Sequence, residues 1–105
     1  MKIFDLYGHR DGADLEAVRH LAERSLGVAF AAHESSYVGD YYRHGLSGAE
    51  NFVLQRNFNK IEQEWTEKAF KQFPVLLYVN ESQRAEGLEE SLTLEGFVLV
   101  RRDQL

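Results

Sequence analysis

Cysteine is absent from the 105 residues, and proline occurs once, at Pro74. The first absence excludes a disulfide framework, a thiolate nucleophile and a zinc–thiolate centre. The second leaves no proline-rich linker, and no glycine/serine-rich stretch or internal repeat takes its place. Long apolar runs are missing too. The longest, which includes residues 74–79, is far short of the roughly 20 residues that a helical bilayer span needs. Near the N-terminus, Lys2 and Asp5 put charge where a secretory signal would carry its apolar stretch. The expectation is a cytoplasmic protein with no membrane partner.

Positive charge is the scarcer sign. Twelve Lys and Arg stand against 17 Asp and Glu, a net charge of −5 with neutral histidines. Such a field repels phosphate backbones, so it argues against nucleic acid and for a basic protein as partner. Hydrophobic residues at 44% and charged residues at 28% mark a folded chain rather than a disordered one. The length suits one domain, residues 1–105, which can bury a core without metal or disulfide.

Periodicity supplies the elements. Residues 2–7 alternate as a strand. Leu15, Val18, Leu21, Ala22 and Leu26 recur at helical spacing, which predicts a helix over 13–26 with Asp11 or Asp14 as its cap and Gly27 as its left-handed end. A strand is expected over 28–34, which residues 37–44 either continue or follow as a second strand, and then another around Phe52-Val53-Leu54. That last strand pairs antiparallel with its predecessor across the Gly45-Leu46-Ser47-Gly48 turn. Ile61, Trp65 and Ala69 share a helical face, so residues 61–69 read as a helix or as one turn within an ordered loop. Residues 75–79 are apolar on both faces, the mark of a central strand. A helix bearing Ala85, Leu88 and Leu92, capped by Asn80 or Ser82, and a strand over 97–100 complete the chain, with Arg101-Arg102-Asp103 running into solvent. The expected fold class is α+β: a mixed sheet of about five or six strands, made mixed by two helical crossovers, with two or three helices packed on it. A three-layer α/β arrangement is the alternative.

Chemistry-bearing patterns are sparse. His9, His20, His33 and His44 show no metal-ligand spacing, so no metal is expected. Gly45 and Gly48 form a turn rather than a phosphate loop, and no nucleotide or other cofactor is expected. No serine has a nucleophile-elbow context, and no catalytic residue is assigned. The richest segment is Tyr37-Val38-Gly39-Asp40-Tyr41-Tyr42-Arg43-His44-Gly45, with three of the five tyrosines. Tyr and Arg anchor interfaces, and tyrosines also pair across half-exposed sheets. Trp65 lies among Glu62, Glu64 and Glu67, as a core indole or as an aromatic anchor ringed by acids. Asp40, Tyr41, Tyr42, Glu62, Glu64, Trp65 and Glu67 are therefore the candidate partner-binding residues. The acidic helix face at Glu86, Glu89 and Glu90 is the fallback. A competing reading is a small enzyme or small-molecule binder with a cleft near Tyr41, His33, His44 and Glu50. A regulatory subunit is a third.

The run from Gly39-Asp40-Tyr41-Tyr42 through Phe52-Val53-Leu54-Gln55, with Glu64-Trp65 and Pro74-Val75-Leu76-Leu77-Tyr78-Val79, resembles a group of small bacterial proteins. Similar small acidic proteins serve as immunity proteins of polymorphic and contact-dependent inhibition toxin systems. The resemblance spans about residues 37–100. It implies a cytoplasmic antitoxin that neutralises a toxin domain by direct binding, and it assigns no site residue.

Overall fold

A computed structural model describes residues 1–10 and 14–105. Asp11 as a cap and Ala13 as the helix start lie outside the described residues.

The strands are β1 (Ile3–His9), β2 (Ala31–Ser35), β3 (Gly39–His44), β4 (Asn51–Arg56), β5 (Phe58–Asn59), β6 (Glu64–Trp65), β7 (Val75–Ser82) and β8 (Phe97–Gln104). The helices are α1 (Leu15–Leu26) and α2 (Ala85–Leu94), with a single 3-10 turn at Lys68–Phe70. Six strands form one sheet in the order β2-β3-β4-β7-β1-β8, and β5 and β6 form a separate two-stranded ribbon. The class is α+β, as the periodicity implied. No helix among the described residues is long and apolar enough to cross a membrane.

The expected mixed pairing is corrected: among the described residues every strand pairing is antiparallel. The reasoning about crossovers holds only for direction. Helix α1 joins β1 to β2, and α2 joins β7 to β8, and each pair of strands does run the same way. Other strands lie between them, however, so neither crossover creates a parallel neighbour. Strand β7 is central, flanked by β4 and β1.

Both helices cover one face. Leu15, Val18, Ala22 and Leu26 of α1 and Leu88 and Leu92 of α2 close over Tyr7, Phe52, Leu54, Val75, Leu77, Val79 and Phe97. Asp14 caps α1 by accepting the Glu16 N–H at 3.0 Å, and Gly27 ends it at φ 69°. Helix α2 begins after Arg84, not under an Asn80 or Ser82 cap; the Ser82 hydroxyl accepts the N–H of Arg84 itself at 3.2 Å, two residues too early to cap the helix.

The other face carries a smaller core of Leu6, Phe73 and Leu76, with Phe70, Tyr78 and Val100 packed on it. Its lid is the 57–74 loop. Gly8 makes the fit possible: a Cβ there would lie 2.2 Å from the Phe73 ring. The expected run of Arg101-Arg102-Asp103 into solvent holds for the exposed Arg101 and Asp103 but not for Arg102. Strand β8 continues through them because their charges are matched within the fold. Arg102 grips the buried Asp5 carboxylate with two bonds of 2.8 Å and reaches Glu89 at 3.0 Å, an arrangement that holds its guanidinium firmly protonated.

Candidate functional site

The segment predicted as a helix over 61–69 does not become one, and the single-turn alternative is what forms. Two asparagines decide it. The Asn59 side-chain oxygen accepts the N–H groups of Ile61 (2.9 Å) and Glu62 (3.1 Å), and Gln63 then adopts φ 55°. A side chain that takes these donors competes directly with helix formation. Asn57, fully buried, organises the rest. Its amide nitrogen donates to the carbonyls of Phe70 (2.9 Å) and Phe73 (3.0 Å), and its side-chain oxygen accepts the Glu67 N–H (2.9 Å). Its own N–H donates to Pro74, and its carbonyl accepts from Thr66, both at 2.8 Å.

This loop is pinned to the β2–β3 turn. Asn59 Nδ2 donates to the Tyr37 carbonyl at 2.6 Å, and Ile61 lies beside Gly39, where φ is 75°. At the junction, Val38, Gly39, Asp40, Arg56, Phe58, Lys60 and Ile61 line a shallow depression of about 340 Å³. Trp65 stands edge-on to Phe58 with centroids 5.2 Å apart. Tyr37 is 71% exposed and Ile61 51%, and they flank this depression together rather than standing singly on the surface. Asp40, Glu62 and Glu64 are exposed around them and form no ion pair among the described residues.

The seven sequence candidates therefore divide. Asp40 lies at the junction, and Glu62, Glu64 and Trp65 lie on the pinned loop. Tyr41 follows Asp40 on the helix-free face, half-buried and stacked on His33 at 5.3 Å. Tyr42 points to the helix side: its hydroxyl donates to Glu16 and its ring lies 5.1 Å from the Arg19 guanidinium. That hydrogen bond, helped by burial, raises its phenol. Glu67 is engaged inside the fold, accepting from the Tyr78 hydroxyl at 2.6 Å and from Arg101 at 3.1 Å. Burial pushes its carboxyl up, but the bonds from Arg101 and Tyr78 and the arginine charge prevail and hold it below the ordinary range. Burial and the bond to Glu67 raise the Tyr78 phenol.

The alternative cleft does not assemble around one space. His33 and Tyr41 share the helix-free face. His44 is on the helix side, stacked on Phe52 and 2.9 Å from the Ala29 carbonyl through Nδ1. Glu50 is clamped by Arg84 at 2.8 Å and by the Ser82 hydroxyl, which lower its carboxyl against the cost of burial. The fallback acids Glu86 and Glu90 are exposed on α2, whereas Glu89 is drawn to Arg102.

Sequence reasoning missed Tyr37 and Ile61 as exposed apolar groups and Asn57 and Asn59 as their supports. An Asn-x-Asn pair at a strand end was the available signal, since Asn bonds its neighbours' backbone. It missed Glu81 too. At φ 56°, this residue accepts the Gly48 N–H at 2.8 Å and the Lys2 ammonium at 3.1 Å, which lower its carboxyl and tie the β3–β4 turn to the N-terminus.

No protein-family model matches the chain, and no curated protein matches it.

Proposed function

We propose that this protein is a non-enzymatic binding protein of the bacterial cytoplasm, an immunity protein that neutralises a basic toxin domain by covering it. The observation that carries the reading is the junction of the β2–β3 turn with the 57–74 loop. There, exposed Tyr37 and Ile61 and half-buried Trp65 sit beside Asp40, Glu62 and Glu64, on a backbone fixed by Asn57 and Asn59. Apolar anchors on a pre-ordered loop lose little freedom on binding, which is how rigid loops gain affinity. Unpaired acids beside them steer a basic partner and speed its encounter, as neutralising a toxin requires. Tyr41 extends the face along β3. Tyr42 and Glu67 support it from within, through Glu16, Arg19, Tyr78 and Arg101.

The test is co-expression with the product of the neighbouring gene, followed by pull-down and rescue from toxicity. Co-purification and rescue are expected, with rescue lost in a folded Trp65→Ala, Ile61→Ala double variant. A neighbouring product that is toxic yet neither binds nor is neutralised overturns the reading.

A further inference from the structure

The two edges of the sheet are guarded unequally. Strand β8 carries Arg101, Arg102 and Asp103, and its register with β1 shifts between Leu6 and Tyr7. Charges and irregularity of this kind keep an edge from pairing with other chains. Strand β2 has no such irregularity and a single charged residue, Glu34. Its sequence is Ala31-Ala32-His33-Glu34-Ser35, with no proline, lysine or arginine, and its register with β3 is unbroken over five consecutive pairs. Residues 31–34 are all exposed, and β3 is the only strand among the described residues that pairs with it. The outward backbone groups of β2 thus form an open template.

We propose that a second copy of this chain occupies that edge, β2 pairing antiparallel with β2 of its twin about a two-fold axis at His33. The charge pattern selects this occupant. A two-fold register centred on His33 sets Ala31 opposite Ser35 and Ala32 opposite Glu34. The strand's only carboxylate therefore faces a methyl group rather than its own copy, and no like charges meet. His33 already stacks on Tyr41 at 5.3 Å. The pairing extends that stack into a row, Tyr41–His33–His33–Tyr41, across the seam on the helix-free face. A head-to-tail contact of β2 with β8 would give an open filament, whereas the two-fold contact closes on itself. The product is a continuous twelve-stranded sheet. This inference is independent of the toxin reading, and its test uses no partner.

The measurement is sedimentation equilibrium of the full chain over a range of concentrations, with circular dichroism to confirm folding. The expected mass rises from 12.1 kDa toward twice that value. Ala32→Glu creates two like-charge pairs across the seam and should weaken association roughly 3- to 30-fold. Ala32→Lys faces Glu34 twice and should tighten it. The double variant Ala32→Glu, Glu34→Lys restores opposite charges and should recover at least the parent's association. Amides of residues 31–35 should gain exchange protection with concentration, and those of β8 should not. A chain that stays monomeric at every concentration overturns the proposal. So does a dimer indifferent to all three variants. Should Ala32→Glu fail to fold, the tightening by Ala32→Lys decides alone.

Discussion

Strand β7 and the loop that precedes it are joined at Pro74, yet they are held in place by opposite means. Val75, Leu76, Leu77 and Val79 are buried to within 1% and are packed from both faces of the sheet. Burial of this kind is non-directional and scales with apolar area. The 57–74 loop buries little besides Phe73, Asn57 and Asn59, and its shape comes from the side-chain bonds of those two asparagines. Those bonds are directional and few. The strand is robust because many contacts share its stability, whereas the loop is precise because a few groups dictate every turn. A scaffold of the first kind beneath a loop of the second kind is what a binding surface needs.

The sharpest way to break this contrast is to empty one region at a time. Leu77→Ala should cost ~2–5 kcal/mol, because the side chain is fully buried beneath both helices. Denaturant midpoints check it, and the whole chain should unfold earlier in one transition. Asn57→Ala should cost less, about 1–3 kcal/mol, by leaving buried carbonyls and the Glu67 N–H without partners. Its signature should be local: faster amide exchange and protease cleavage within 57–74, with β7 still protected. If the two variants exchanged alike everywhere, the loop and the strand would form one cooperative unit.

The same contrast explains what was legible in the sequence. Helix α1 and strand β7 announce themselves through apolar spacing, since hydrophobic burial leaves a period of 3.6 or an unbroken run. The fold class followed from those elements. The pairing did not, because strand order depends on which edges meet and no local pattern records it. The loop deceived for another reason. Ile61, Trp65 and Ala69 imitate a helical face, while Asn59 withdraws the donors such a helix would use. At the candidate surface, Asp40, Glu62, Glu64 and Trp65 were visible as an aromatic and acidic cluster. Tyr42 and Glu67 looked equivalent to them, and only tertiary partners, Glu16 and Arg19 for one and Tyr78 and Arg101 for the other, turn them inward.

Glu67 links the two regions, since the loop's carboxylate bonds Tyr78 of β7. Its carboxyl lies below the ordinary 4.5 in the folded chain, so it favours folding at pH values above that figure. The contribution fades as pH falls through the lowered folded value, where protonation removes the attraction to Arg101. Glu67→Gln keeps an acceptor for the Tyr78 hydroxyl and deletes only the charge. The variant should therefore be slightly less stable than the parent near neutrality. The gap should close as pH is lowered from neutrality through and below 4.5. Because Arg101 is 44% exposed, the gap should be small, within the range of solvent-screened pairs. Urea midpoints of both proteins across that range measure it, and a gap that widens in acid would contradict the assignment.

The smallest effect on folding is expected at Glu62 and Glu64, and it isolates what the loop presents from what holds it. Both carboxylates are exposed and form no ion pair among the described residues, so the double change to glutamine should move stability by no more than about 0.5 kcal/mol. Neither side chain supports Asn57, Asn59 or the Phe58–Trp65 contact, so exchange within 57–74 should stay as it is. If the surface meets a basic protein, the change should appear in kinetics instead: association should slow and lose part of its salt dependence, with dissociation nearly constant. Trp65→Ala should reverse the pattern, leaving the salt dependence intact and speeding dissociation. Surface plasmon resonance at two ionic strengths separates the two contributions. A double glutamine variant that is folded and binds with unchanged association at both would place the steering charge elsewhere, at Glu86 and Glu90, the exposed acids of α2.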